Sequence, residues 1–161
     1  MTVDEKNQIF DSRLDCNAII ETKSNKLISG CKKTKIPDSV TSIESYAFSK
    51  CYSLTDLVIP NSVTSIKSYA FNECTGLTSV EIPNSINYIE RYVFYKCENL
   101  KSVVIPDSVT VIGSYAFSEC KSLTNIEIPT SVDAIRDYAF NGCTSLTSIV
   151  IPITVGYMGR Y

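Results

Sequence analysis

From residue 36 onward the apolar positions of this chain return on a fixed cycle. In one turn of the cycle they fall at Leu77, Val80, Ile82, Ile86 and Ile89, followed by Val93, Phe94 and Cys97. Val80 and Ile82 alternate with Ser79 and Glu81, which is the period of a strand with one buried face. Pro83 cannot donate to a ladder, so it ends that strand. Ser85 can bond nearby backbone and hold the corner that follows. Ile86 and Ile89 then point inward. Val93, Phe94 and Cys97 stand at offsets of 4, 5 and 8 from Ile89. Those offsets are helix-like, and so short a segment predicts one helical or 3₁₀ turn. The cycle therefore reads as strand, corner, second extended piece and helical turn.

The phase is set by a dipeptide. Ile-Pro occurs at Ile36-Pro37, Ile59-Pro60, Ile82-Pro83, Ile105-Pro106, Ile128-Pro129 and Ile151-Pro152, always 23 residues apart, and all 6 prolines lie in this column. Five full units run from Ile36 to Val150, and a sixth begins at Ile151. No unit can bury its apolar face alone, so a fixed period of this length predicts a stacked solenoid. The expected class is an α/β-type solenoid with a parallel sheet on one face and short helical or 3₁₀ turns on the other. Rungs about 4.8 Å apart would give a rod on the order of 30 Å long.

Residues 1–35 lie outside the cycle and read as an N-terminal cap, with residues 36–161 as the solenoid domain. Asn17 to Glu21 and Lys26 to Ser29 suggest two strands around a polar turn, a hairpin that would shield the first rung. Residues 1 to about 8 are expected to be disordered. At the other end, Tyr161 falls in the Tyr column, before the Phe, Cys and Leu that should follow. An exposed last rung predicts fraying, dimerisation through that end, or a chain cut from a longer array.

Composition narrows the function classes. The formal charge is −2 with no basic stripe, so no nucleic-acid footprint is expected. No apolar run approaches the ~20 residues needed to span a bilayer, and the first residues lack a signal-peptide pattern. Histidine is absent, which removes the commonest general base and metal ligand. Nucleophile motifs and glycine-rich phosphate loops are missing too. No catalytic residue, cofactor or metal site is expected.

Spelled as one unit, the pattern is I-P-x-S-V-x-x-I-x-x-Y-A-F-x-x-C-x-x-L-x-x-V-x. It resembles the BspA-type leucine-rich repeat from Ile36 to Tyr161, in six in-phase copies. The stretches Asp15 to Thr22 and Leu27 to Cys31 also resemble the N-terminal cap of bacterial surface members. The resemblance implies a curved or rod-like solenoid, display at the cell surface or secretion, and adhesion or host-protein binding, with no enzymatic activity.

Several columns carry candidate chemistry. Cys51, Cys74, Cys97, Cys120 and Cys143 form one column. Zinc needs four ligands converging on a point, whereas a ladder places thiols in a line, so these read as small buried fillers. Cys16 and Cys31 lie in the cap; an exported protein could join them in a disulfide, and the alternative is two buried thiols. Glu81 and Glu127 share a column but sit two rungs apart on an open face, unsuited to paired acid–base work. Lys50, Glu73, Lys96 and Glu119 alternate in sign, as do Glu44, Lys67 and Glu90, which would favour register through weak pairing.

Two surfaces remain as candidate partner contacts. The outward strand residues are Asp56 and Val58, Ser79 and Glu81, Ser102 and Val104, Asn125 and Glu127, Ser148 and Val150. The second column alternates Val and Glu, which suits an extended partner with basic and apolar groups. In the third unit, Tyr88, Arg91, Tyr92 and Tyr95 have offsets that would share one helical face, and Tyr and Arg are favoured interface anchors. The expectation is a non-enzymatic binding or adhesion module for a protein or glycan, including host extracellular matrix. The alternative is a structural array element associating end to end through the C-terminal rung.

Overall fold

The computed structural model describes residues 1–4, 6–12 and 17–160. Each repeat makes one turn of a three-sided solenoid. The first side carries the strands that precede three of the Ile-Pro dipeptides: β6 (Ser79–Glu81), β8 (Ser102–Val104) and β10 (Asn125–Ile126), taking the strands in overall chain order. These pair in parallel with one-unit register, Val80 opposite Val103 and Val103 opposite Ile126. Burial follows the alternation in the sequence: Ser79 and Glu81 are exposed around buried Val80. The proline then closes a corner, with the amide of Ile86 donating to the carbonyl of Pro83 at 3.0 Å.

The second side is the short extended piece that follows the corner. It comprises β4 (Ser42–Ile43), β5 (Ser65–Ile66), β7 (Tyr88–Ile89), β9 (Val111–Ile112), β11 (Ala134–Ile135) and β12 (Tyr157–Met158). The cap joins the same side. β1 (Phe10–Asp11), β2 (Ile19–Glu21) and β3 (Lys26–Ser29) form an antiparallel meander, and β3 pairs in parallel with β4, Leu27 opposite Ile43. Ile20 and Leu27 are fully buried there. The hairpin expected from residues 17–29 is present, and β1 adds a third strand just after the residues expected to be disordered.

The third side corrects one expectation: among the described residues it holds no helix and no 3₁₀ turn. It is a run of tight turns. Two residues per unit adopt left-handed backbone, Tyr46, Tyr69, Tyr92, Tyr115 and Tyr138 at φ 58–64°, and four residues later Lys50, Glu73, Lys96 and Glu119 at φ 57–61°. Such residues interrupt a right-handed helix. Alternate amides stay within the turn, as Ala70 to Lys67 and Asn72 to Tyr69, both at 3.1 Å. The amides between them donate to the next rung, Phe71 to Val93 at 3.0 Å and Glu73 to Tyr95 at 2.8 Å. A segment this short gains little from helical bonds, and bonding to its stacked copy satisfies the same donors with partners already in place.

The core is a set of columns. Phe48, Phe71, Phe94, Phe117 and Phe140 stack with centroids 5.1–5.6 Å apart. Val63, Ala70, Leu77 and their copies fill the space around them. Three members of the Ser column bond between rungs instead of holding their own corner: Ser85, Ser108 and Ser131 donate to the carbonyls of Val63, Ile86 and Val109 at 2.5–2.7 Å.

On the second side one junction differs from the rest. β5 and β7 are neighbours by position on the second side yet end separate sheets. On the first side, residues 56–58 likewise stand beside the edge strand β6 without a strand pairing. The backbone bonds of the third side persist there, from Tyr69 to Arg91 at 3.3 Å and from Phe71 to Val93 at 3.0 Å, and Ser85 still reaches the Val63 carbonyl. The cause is in the sequence. The third unit has Ile86 where units on either side have Val63 and Val109, and Val93 where they have Ala70 and Ala116. The extra methyl groups overfill one rung, and close-packed interiors answer added volume with backbone displacement. A small cavity between Ile66 and the next rung's Ile86, Ile89 and Val93 marks the opening.

Candidate functional site

The strand side assembles most of the residues singled out from the sequence. Asp56, Val58, Ser79 and Glu81 line one shallow groove of about 390 Å³. Glu81, Val104, Asn125 and Glu127 line a second of about 520 Å³, and the two adjoin at Glu81 and Asn84. Ser102 lies in the second groove. Pleating explains the placement: Val80, Val103 and Ile126 turn inward, so their neighbours face out. Val58 is 83% exposed and Val104 58%. Val150 is equally open at 81% but stands beyond both grooves. The sequence reading missed the groove rim, formed by Asn61, Asn84 and Asp107. Each directly follows an Ile-Pro, so the column was visible, but its position beside the strand face emerges only once the corner is folded.

The electrostatics of the two grooves are one-sided. Asp56, Glu81, Asp107 and Glu127 supply four carboxylates, and the linings contain no Lys or Arg. The second groove lies over the hydrogen-bonded β6–β8–β10 sheet, whereas the first spans the unpaired step between residues 56–58 and β6. This arrangement can hold a partner by shape and charge.

The second candidate surface is rearranged. Tyr88 lies in β7 on the second side, whereas Arg91, Tyr92 and Tyr95 belong to the third-side turns, so the four do not share a helical face. The structure does bring Tyr92 and Tyr95 together, edge to face at 5.5 Å, with Lys96 5.3 Å from the Tyr95 ring. Tyr92 is also the middle of a five-membered stack, Tyr46, Tyr69, Tyr92, Tyr115 and Tyr138, with centroids 4.5–4.9 Å apart. Burial, then the flanking rings of Tyr69 and Tyr115, push the Tyr92 phenol up, while Arg91 opposes them. The stack accounts for a bulky residue in left-handed backbone: each inner ring covers two neighbours and each end ring one, which offsets a conformational cost of about 1–2 kcal/mol.

The Cys column is buried except at Cys51, which is half-buried, and it does more than fill space. The thiols of Cys74, Cys97, Cys120 and Cys143 donate to the carbonyls of Phe48, Phe71, Phe94 and Phe117 on earlier rungs at 3.0–3.2 Å. Burial raises all four, Cys74 to about 12 and Cys143 to about 11, with Cys97 and Cys120 pushed well up. Thiols held in this protonated form are poor nucleophiles and poor metal ligands. Among the described residues no group of His, Cys, Asp or Glu is placed to hold a metal. In the cap, Cys31 is a free thiol 3.4 Å from the carbonyl of Asn17, and Cys16 lies outside the described residues.

The alternating charge columns do not close into pairs among the described residues. The ion pair that forms is Lys121–Glu98 at 2.8 Å, in a different column. The last rung presents an apolar hollow of about 300 Å³ lined by Phe140, Cys143, Leu146, Ile149, Ile151 and Met158. Tyr161 lies outside the described residues. No described helix is long and apolar enough to cross a membrane.

Residues 18–147 match the model of the BspA type leucine rich repeat region, in 6 copies. The chain belongs to the BspA-type leucine-rich repeat family. Solved leucine-rich repeat structures share its fold. A leucine rich cell surface protein from Faecalibacterium prausnitzii is 33% identical with a TM-score of 0.84, over 92% of this chain and 41% of that one. A leucine-rich repeat protein from Eubacterium ventriosum shares the fold at 20% identity and TM-score 0.77, over 98% and 50%. A leucine rich repeat protein from T. pallidum gives 26% and 0.67, over 99% and 86%. The chain thus spans about half or less of the first two relatives. No curated protein matches it. The match from residue 18 takes the BspA-type repeat region into the segment read as a cap, consistent with β3 forming a rung of the second side.

Proposed function

We propose that this BspA-type solenoid is a non-enzymatic binding module, displayed at a cell surface, that contacts a protein or glycan through its strand side. One observation carries the reading. Val58, Glu81, Val104, Glu127 and Val150 form one exposed column, the first four lining two grooves that hold four carboxylates and no cation. Solvent-exposed valines on a protein surface this regular supply area for a partner to cover. A surface location rests on the family and on the cell surface relative. Host extracellular matrix is the first partner class to try.

The test is a binding screen against extracellular-matrix proteins and glycans, repeated with Glu81→Lys/Glu127→Lys. Reversal of both charges on exposed side chains leaves the core untouched. It is expected to weaken a demonstrated ligand by about tenfold or more. Unchanged affinity would remove the strand side from the assignment.

A second reading, self-association through the last rung, is favoured by the hollow around Phe140 and Met158. Its columns are the same ones that pack rung against rung inside the solenoid.

A further inference from the structure

We infer that the strand side is fitted to an extended cationic peptide in the polyproline II conformation, with Lys or Arg at every third position. The inference rests on the strand-side reading above and names its partner.

Charge gives the sign. Four carboxylates border the two grooves, with no cation among the lining residues. The sequence alternation gives the spacing. Glu81 lies opposite Val104 in the β6–β8 register, and Glu127 occupies the same position one rung further on. Two parallel steps put the two carboxylates about 9.6 Å apart along the stack. Val58, Val104 and Val150 repeat at the same interval, offset by one rung. The face is thus a line of alternating carboxylate and exposed isopropyl groups, each recurring every two rungs.

A partner lying along this line must return like side chains to one edge at that interval. A β-strand returns them every two residues, at about 6.8 Å. An α-helical turn returns them at about 5.4 Å, and its seven-residue repeat at about 10.5 Å. The seven-residue repeat overshoots by about 1 Å each time, and a cylinder 10–12 Å wide would touch only one line of the face. Polyproline II has three residues per turn and rises about 3.1 Å per residue, so every third side chain returns to the same edge after about 9.3 Å. Cationic side chains at that period meet Glu81 and Glu127 in turn. The two intervening residues straddle Val104, where proline or another aliphatic ring covers the valine. Such a segment loses little conformational freedom on docking, because the conformation is populated beforehand.

The experiment titrates the whole chain with fluorescent 15-residue peptides at low and physiological salt. One peptide carries Lys at every third position among prolines. A second has the same composition in scrambled order, a third has Lys at every second position in a Val/Thr background, and a fourth is a helix with Lys at every seventh. The expected result is binding of the first at least about tenfold tighter than the second, weakened by salt, with that preference lost in Glu81→Lys/Glu127→Lys. The variant's circular dichroism should match the parent's, which separates lost contacts from lost fold. Equal binding of the first two peptides, or tightest binding of the third or fourth, overturns the polyproline II inference. In those cases the strand-side reading survives if the double variant still weakens binding. If the double variant binds every peptide as the parent does, both readings fall.

Discussion

The buried thiol column makes stability depend on alkaline pH, and Cys74 gives the size of the effect. Its side chain is 0% exposed, and burial moves its titration from 9.0 to about 12. The folded state therefore holds a proton that the unfolded state releases, so stability is complete below about pH 9 and falls as pH rises toward 12. At about pH 10 an unfolded thiol is mostly ionised while folded Cys74 is not, and the loss is about 1.4 kcal/mol. Cys143, raised to about 11, and Cys97 and Cys120, pushed up by burial, act in the same direction. Together they erode a sizeable part of the ~5–15 kcal/mol typical of a domain. Cys74→Ala isolates one thiol. The Phe48 carbonyl it serves also accepts the Cys51 amide at 3.0 Å, so no buried acceptor is orphaned. At neutral pH the variant should lose about 1–2 kcal/mol for the vacated volume. Urea unfolding under reducing conditions, at about pH 8 and again at about pH 10, compares the two proteins. The gap between them should narrow by about 1.3 kcal/mol at the higher pH. A gap of equal size at both pH values would refute the argument, because the titrations of Tyr and Lys are common to both proteins and cancel.

Two further outcomes are expected. At the open junction the amides of Asn87 and Glu90 lack the cross-rung carbonyls that Thr110 and Gly113 find at 2.9 and 2.8 Å, so they should exchange hydrogen at least about tenfold faster. Ile86→Val/Val93→Ala should close the ladder and restore their protection; unchanged exchange in the double variant would dismiss overfilling as the cause. For the last rung, sedimentation velocity should show concentration-dependent association that Met158→Glu reduces, and a strict monomer at high concentration would eliminate the second reading.

How far the structure could be read from the residues depended on the range of the interaction. The Ile-Pro column, the inward Val80 and the outward Glu81 follow from local chemistry and a period of two, and these were legible. The third side was not. Ile89, Val93, Phe94 and Cys97 have spacing that a helix would also show, and nothing in a tyrosine announces left-handed backbone. That conformation becomes affordable only when Tyr69 and Tyr115 stack on Tyr92 from rungs above and below. The Ser column was read as a local corner device because serine often is one. Its true acceptor for Ser85, the Val63 carbonyl, lies 22 residues earlier and is a neighbour only after stacking. The thiol donors were hidden for the same reason, with Cys97 and Phe71 26 residues apart. The strand-side residues were found because pleating alone sorts them, whereas the rim residues Asn61, Asn84 and Asp107 needed the corner.

The direction of the cross-rung bonds gives the solenoid a polarity. Hydroxyl and thiol bonds to backbone reach backward, Ser108 to Ile86, Cys120 to Phe94 and Thr64 to Thr41, whereas Ser68 reaches forward to the Glu90 carboxylate. Second-side amides reach backward too, Lys67 to Ile43 and Arg136 to Ile112. Third-side amides reach forward, Phe94 to Ala116 and Phe117 to Ala139. During synthesis, which delivers the N-terminal end first, each new unit meets a finished rung already offering carbonyls for its hydroxyls and thiols. That rung also offers unused amides for the carbonyls the new unit brings. Growth in this direction works as a template copied one turn at a time, with the β1–β3 meander as its primer.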